Sequence, residues 1–104
     1  MERKEFINQA SITLQQLDRV LGDLEHPGLD VDLAGDVLTL AFEDDTEFII
    51  NAHSAAMQIW MAAISTAWHF SWNGTTWVAQ RSGDELMNTV AAEVSKKLGT
   101  SISL

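Results

Sequence analysis

The sequence lacks cysteine, has one proline in 104 residues, and contains no long apolar run. Without cysteine there is no disulfide framework, no thiolate metal site and no cysteine nucleophile. No apolar stretch approaches the roughly 20 residues that span a bilayer. Four of the first five residues are charged and no apolar segment follows them, so we predict no signal peptide. We expect a reducing compartment, the cytoplasm.

Basic residues are also missing over most of the chain. Between Arg19 and Arg81 there is no lysine or arginine, and the net charge is −9 with a pI near 4.4. The same segment holds nine carboxylates, all in its first half: Asp23, Glu25, Asp30, Asp32, Asp36, Glu43, Asp44, Asp45 and Glu47. This charge argues against nucleic acid and anionic membranes as partners, because both attract Lys/Arg clusters. A concentrated negative field instead suits cations and basic protein surfaces.

The hydrophobic pattern predicts an α+β fold in a single domain, residues 1–104. Apolar residues at spacings of three and four predict a first helix over roughly residues 3–24. Alternating runs joined by short turns then predict about six antiparallel strands. A second helix follows, for which Ser82 and Glu85 form a capping box, with Ser82 at N-cap. We expect both terminal helices to pack on one face of the sheet, leaving the other face open.

Six carboxylates are predicted to line the edge formed by the first helix and first strand. We place Asp18, Asp23 and Glu25 in the second half of the helix, Asp30 and Asp32 on the wet side of the strand, and Asp36 in the next turn. We call this set the acidic ridge: Asp18, Asp23, Glu25, Asp30, Asp32 and Asp36. Hard cations prefer carboxylate oxygen, so the ridge could hold several ions weakly. The alternative is a solvated acidic face that binds nothing.

Histidines and tryptophans form a second set of candidates. His26 lies beside the ridge as a possible ligand or a solvated loop residue, and we place His53 in a loop and His69 on a strand. If Ile59 and Met61 face the helices, Trp60 between them faces outward. An outward Trp60 is a plausible binding anchor, or it simply covers the sheet. Trp72 flanks a hairpin turn opposite another tryptophan, where cross-strand packing is expected.

Known catalytic motifs are missing. The sequence has no phosphate-binding loop, no GxSxG, no HExxH and no EF-hand loop. We therefore expect that the protein is not an enzyme.

Over nearly its whole length the chain resembles the frataxin family, specifically its bacterial CyaY-type members. The resemblance rests on an ordered set of short segments with matching spacings over nearly the whole chain. They are Glu5-Phe6, Asp30-Val-Asp32, Gly35 to Thr39, Phe42-Glu43, Ile49 to Asn51, Gln58 to Ala62, His69-Phe70 and Trp77 to Gly83.

The resemblance implies a role in iron–sulfur cluster assembly. It implies weak binding of ferrous or ferric iron at the acidic ridge, and association with a cysteine desulfurase and a cluster scaffold protein. It also implies partner contact at the exposed sheet surface through Asn51, Gln58 and Trp60. The chain departs from the family pattern at Arg19 and Gly22, which thin the helical end of the ridge.

Other readings remain open at this stage. The protein could be an acidic adaptor that docks on an arginine-rich surface without any metal. A ferroxidase is a weaker reading, because the sequence lacks the Glu-x-x-His pairs of di-iron bundles. Mimicry of nucleic acid by the acidic surface is more remote still.

Overall fold

The computed structural model describes all residues, 1–104, and arranges them as helix, six strands, helix. The elements, in chain order, are α1 (Arg3–Gly22), β1 (Leu29–Ala34), β2 (Val37–Phe42), β3 (Glu47–His53), β4 (Gln58–Ala62), β5 (Ala67–Trp72), β6 (Trp77–Ala79) and α2 (Leu86–Leu98). No helix is both long enough and apolar enough to cross a membrane.

The six strands form one sheet in which spatial order follows sequence order, and every neighbouring pair is antiparallel. Short connections favour this meander, because antiparallel strands can be joined by turns of a few residues. At the β1–β2 turn Gly35 has φ +61°, which glycine adopts without a Cβ penalty. The predicted α+β fold with two terminal helices on an antiparallel sheet is confirmed.

Both helices cover the same face of the sheet. In α1, residues at helical spacing such as Phe6, Leu14 and Leu21 are buried, and α1 contacts β1, β2 and β3. In α2, Leu86 and Val90 are buried, and this helix contacts β6. The core therefore lies between the helices and every second residue of the strands. We call the uncovered side of the sheet the open face.

Helix α1 ends two residues earlier than the sequence predicts, and this moves two ridge carboxylates. Gly22 is its last residue, Asp23 is the C-cap, and Glu25 lies beyond the helix with φ +49°. Tight turn bonds from the amides of Leu24 and Glu25 end the helical pattern. The prediction that Asp23 and Glu25 lie in helix one is therefore wrong, because the chain tightens and reverses there rather than completing another turn.

The predicted N-terminus of the second helix is also wrong. Glu85, not Ser82, is the N-cap, and its side chain accepts hydrogen bonds from the amides of Met87 and Asn88. Glu85 also forms a β-bridge with Val78, which holds its backbone extended at φ −96°, ψ 142°. Pairing with the sheet therefore takes precedence over the capping box, and the helix begins three residues after the sequence signal.

Candidate functional site

The acidic ridge lies along the β1 edge of the sheet. Asp30 and Asp32 alternate with half-buried apolar residues on β1 and are exposed, while Asp36 is exposed in the turn after it. Asp23 and Glu25 are exposed at the end of α1, and Asp18 is half-buried on the helix. Because α1 packs against β1, the carboxylates of the helix and its end and those of the strand lie on neighbouring elements at this edge.

The spacing of the ridge is too wide for one enclosed ion. Strand geometry separates the Cα atoms of Asp30 and Asp32 by about 7 Å, and puts Asp36 roughly 15 Å or more beyond Asp30. Nowhere in the structure do three or more histidine, aspartate or glutamate side chains converge closely enough to hold a metal ion. Any cation on the ridge would therefore take one or two protein ligands and complete its shell with water.

No basic side chain neutralises the ridge. The two salt bridges of the structure join Lys96 to Glu93 and Lys97 to Asp44, all outside the ridge. Arg19, one helical position after Asp18, is exposed and forms neither of them. The negative field predicted from the sequence therefore persists in the folded molecule, because no cation neutralises the ridge carboxylates.

His26 has a structural role at the junction between α1 and β1. Its Nδ1 accepts a hydrogen bond from the amide of Gly28 at 2.9 Å, and the side chain is half-buried. Only Nε2 remains free, and no cluster of further ligands surrounds it. The bond orders the turn that follows Pro27, so it sets where β1 begins relative to α1.

On the open face, Trp60 is held between two histidines. Its ring stacks on His53 with centroids 3.9 Å apart and planes 13° apart, and on His69 at 4.2 Å and 14°. Ile59 and Met61, its neighbours in β4, are buried beneath the helices. The outward orientation of Trp60 is therefore confirmed, as is the position of His69 on a strand. His53 is the last residue of β3, so its predicted loop position is wrong.

The edge of the Trp60 ring is also fixed. Its Nε1 donates to Gln58 Oε1 at 2.9 Å, and Gln58 Nε2 donates to Ser71 Oγ at 3.3 Å. Asn51 lies directly opposite Trp60 on β3. The three predicted partner residues, Asn51, Gln58 and Trp60, therefore form one half-buried patch. Because both ring faces and the N–H are already engaged, Trp60 presents a rigid edge, with little side-chain entropy left to lose on binding.

The β1 carboxylates of the ridge and the patch around Trp60 lie on the same face of the sheet. Asp32 pairs with Thr39, Thr39 with Ile49, and Ile49 with Ala62, two residues after Trp60. Directly paired residues point to the same face, so Asp32 and Trp60 share the open face, three strand spacings or about 14 Å apart across the sheet and two residues or about 7 Å apart along the strands. A single partner surface could cover both.

Sequence reasoning missed His53 as part of this surface. The alternation of β3 ends at Asn51 in sequence terms, because Ala52 and His53 give no strong strand signal. Continuing the Asn51–Trp60 register by two residues on each strand would have placed His53 opposite Gln58, as observed. His53 Nδ1 also accepts from the amide of Ala56 at 3.3 Å, which anchors the imidazole to the following turn.

The acids of the β2–β3 turn serve a different purpose from the ridge. Asp44 forms a salt bridge with Lys97 near the C-terminus of α2, and Lys97 Nζ lies 5.8 Å from the Phe42 ring centroid. The hydrogen bond from Lys97, helped by one from Thr46, lowers the pKa of Asp44 from 3.8 to about 2. This turn therefore ties the sheet to α2, whereas the ridge has no such partner.

We expect this tie to make stability depend on acid pH. Because the pKa of Asp44 is lower in the folded state, its carboxylate stabilises the fold above pH 3.8, and this is lost as pH falls towards about 2. Asp44→Asn should therefore lower the urea midpoint at neutral pH and converge with wild type near pH 2. Asp45→Asn is the matched control, since Asp45 carries the same charge in the same turn but forms no salt bridge with Lys97. Equal midpoints for the two variants at pH 7 would contradict the prediction.

A sequence model of the frataxin-like domain matches residues 1–100. A protein of Janthinobacterium sp. (strain Marseille) named iron–sulfur cluster assembly protein CyaY is 36% identical over 108 residues, covering 100% of this chain and 96% of the relative. The protein of the same name from Psychromonas ingrahamii is 34% identical over 99 residues, covering 93% and 91%.

Solved structures give the same result. Frataxin from Psychromonas ingrahamii superposes with a TM-score of 0.91 at 30% identity, over 99% of this chain and 97% of that one. Trimeric frataxin from the yeast Saccharomyces cerevisiae, solved in complex with ferrous iron, gives a TM-score of 0.77 at 30% identity, over 88% and 86%. Matched in sequence over residues 1–100 and in fold over nearly every residue, this chain belongs to the frataxin-like family.

Proposed function

We propose that this protein acts in iron–sulfur cluster assembly, where it binds iron weakly as cargo and docks on a cysteine desulfurase and its scaffold protein. Relatives that match over nearly their whole length carry the name iron–sulfur cluster assembly protein, which supports the role. We expect the activity in the cytoplasm, and we expect no catalytic step by this chain.

One observation carries the proposal: five of the six ridge carboxylates are exposed, and none of the six forms a salt bridge. Unpaired like charges cost folding free energy through their repulsion, and a domain bears that cost when the field is used in binding. Asp30 and Asp32 are fixed by a six-residue strand whose other face packs under α1. The field is therefore presented in a constant geometry to whatever approaches.

Weak iron binding agrees with this arrangement. Carboxylate oxygens suit iron as a hard cation, and exposed carboxylates exchange water and protein ligands readily. With at most two protein ligands per ion, affinity should be low and several positions along the ridge should compete. Such binding suits delivery better than storage, since a cargo ion has to leave. A frataxin from yeast was solved with ferrous iron, which supports iron as the ion.

Partner docking would use the ridge and the Trp60 patch together. The ridge supplies electrostatic steering towards an arginine-rich surface, which raises the rate of association. The patch of Asn51, Gln58 and Trp60 supplies a preorganised aromatic and amide surface of the kind that carries binding energy at interfaces. Because the β1 carboxylates Asp30 and Asp32 share the open face with this patch, we assign both surfaces to one assembled partner rather than to two unrelated ones.

A second candidate function is an adaptor that needs no metal. The absence of any three-ligand cluster favours it, because the same ridge can bind arginine side chains without coordinating iron. A ferroxidase is the weakest candidate, since oxidation at paired carboxylates needs ligands that converge on the iron. Ferrous oxidation no faster than in buffer would count against that activity.

An anaerobic ferrous titration followed by amide NMR shifts tests the metal half of the proposal. We expect graded shifts and broadening at Asp23, Asp30 and Asp32 at high micromolar to millimolar iron, and none at the Lys97-paired Asp44. Asp30→Asn/Asp32→Asn should abolish the strand part of the response, while Asp45→Asn should leave it intact. Unmoved ridge signals at millimolar iron would overturn iron binding and leave the adaptor.

Salt and chelator separate the two candidates in the partner assay. Electrostatic docking predicts desulfurase affinity that falls steeply as salt rises, because exposed charge pairs are screened within about 10 Å at 0.1 M. An adaptor should bind equally well in the presence of chelator, whereas iron-dependent docking should be lost. Affinity that stays flat from low to high salt would contradict docking through the ridge.

A further inference from the structure

The far side of the sheet has a partly uncovered edge. Strand β6 is short and pairs only with Phe70–Trp72, the second half of β5. The first half, Ala67–His69, pairs with β4 on one side and with no strand on the other. In a strand the N–H and C=O groups of successive residues alternate between the two edges, so part of this stretch directs main-chain polar groups outward.

A cleft of about 480 Å³ borders this free edge. Ala67, Trp68 and His69 line one side of it, and Gln80, Arg81 and Ser82 line the other. Trp68 points towards the helices and His69 towards the open face, so the cleft runs past the strand edge rather than over one face. After Ala79 the chain turns away, and this departure of β6 is what opens the cleft.

Arg81 gives the cleft its charge. It is the first cation after Arg19, it is exposed, and it forms neither of the salt bridges in the structure. No carboxylate lines the cleft. The nearby Asp84 is engaged with Trp68, whose Nε1 donates to Asp84 Oδ2 at 3.3 Å. An unpaired guanidinium beside free main-chain groups is a fork that matches a carboxylate in geometry and charge.

We propose that this edge binds an extended peptide segment carrying a carboxylate, from a partner protein. The segment adds as a short strand beside Ala67–His69, and its carboxylate pairs with Arg81. Main-chain hydrogen bonds supply part of the affinity, and the arginine sets direction and specificity, as in other cases of strand addition. With three free residues the contact is weak by itself, so it suits a secondary contact that orients a larger partner.

The charges of the two sheet edges favour this occupant. At the opposite edge, β1 carries Asp30 and Asp32, which would repel an acidic strand and attract a basic one. At the β5 edge the charged residue that lines the cleft is Arg81, whereas Asp84 lies outside the cleft lining and is hydrogen-bonded to Trp68. The two edges therefore select peptides of opposite charge, and the site at β5 is independent of the acidic ridge and of iron.

Isothermal titration and amide NMR with designed peptides test the proposal on the whole protein. The probe is an acetylated, amidated eight-residue peptide that alternates threonine and valine and ends in two glutamates. In the control peptide the two glutamates are replaced by glutamines. A third peptide is N-methylated at alternate residues, which removes the main-chain N–H groups that would donate to the β5 edge. We expect shifts at Ala67–His69 and Arg81, about fivefold weaker binding of the glutamine peptide, and no shift of the strand amides with the N-methylated one.

Protein variants separate the charge from the fold. Arg81→Gln should weaken binding of the glutamate peptide by about the same fivefold and leave binding of the glutamine peptide unchanged. Arg81→Glu should reverse the preference, so that a lysine-ended peptide binds better than the glutamate one. Arg19→Gln is the matched control, since it removes one exposed arginine from α1 and should change nothing. Ridge variants should also leave peptide binding unaltered, which keeps this test separate from the proposed function.

Three results would overturn the assignment. Equal binding of the glutamate and glutamine peptides, or amide shifts at β1 instead of β5, would contradict the proposal that the β5 edge binds a carboxylate. Concentration-dependent self-association of the wild type that Arg81→Glu abolishes, without peptide binding, would identify the occupant as β1 of a second copy rather than a partner's segment. Sedimentation velocity at several protein concentrations makes that distinction.

Discussion

Reversing three ridge carboxylates, Asp23, Asp30 and Asp32, to lysine is expected to weaken binding to a cysteine desulfurase roughly 100-fold or more at low salt. Each change removes an attraction and adds a repulsion against a basic surface, and exposed pairs contribute up to about 1 kcal/mol each way. The three side chains are exposed and form no salt bridge, so the fold does not need them. A pull-down from cell extract followed by titration with the purified partner measures the effect.

The same variant should be more stable than wild type. Replacing three unpaired negative charges by positive ones lowers the repulsion within a chain of net charge −9, so the thermal midpoint should rise at low salt and less so at high salt. Higher stability together with lost binding would identify the ridge as a feature kept for function at the expense of stability.

A matched control is the triple change of Glu2, Glu5 and Glu43 to lysine. It alters net charge equally, at exposed positions that are not among the six ridge residues. Binding lost to the same degree in this control would show that overall charge governs association, and would contradict docking through the ridge.

The largest expected loss of stability lies at Trp77. This residue is 3% exposed, packs edge-on against Phe6 with centroids 5.7 Å apart, and donates from Nε1 to Thr13 Oγ1 at 2.9 Å. The contact joins β6 to α1 across 64 residues of sequence. Trp77→Ala should lower the free energy of unfolding by about 3–5 kcal/mol, a large share of the 5–15 kcal/mol typical of a domain. Urea denaturation followed by circular dichroism measures it.

Gentler variants keep this test informative if Trp77→Ala does not fold. Trp77→Phe keeps a ring but removes the N–H, and Thr13→Val leaves that N–H buried without an acceptor, at about 1–3 kcal/mol. The double variant should lose less than the sum of the two single losses, since both remove the same hydrogen bond. Strict additivity would show that the bond between Trp77 and Thr13 contributes nothing of its own.

The strands were the most predictable elements. In β2 and β4, Val37–Phe42 and Gln58–Ala62, the burial alternates from one residue to the next, as the sequence alternation predicts. The cross-strand packing expected at the hairpin turn is also confirmed, with Trp72 and Trp77 at 5.2 Å between centroids. Period-two patterning and turn residues are local properties, so they survive folding unchanged.

The helix ends were predicted less well, because long-range contacts decide them. Ser82 and Glu85 have the spacing of a capping box, yet the bridge between Val78 and Glu85 keeps the backbone extended there. Thr76 then donates to Glu85 Oε2 at 3.0 Å, so that carboxylate serves both the sheet and the helix. No local rule contains the position of β6, and the start of α2 depends on it.

The sequence by itself determined the charge asymmetry, the α+β class and the outward face of Trp60. These follow from composition and periodicity, which are properties of neighbours along the chain. Only the tertiary structure decided that Asp32 and Trp60 share one face, that His53 and His69 enclose Trp60, and that β6 leaves Arg81 beside a free edge. Those relations depend on strand register and on where a strand ends, and both are fixed by contacts between residues distant in sequence.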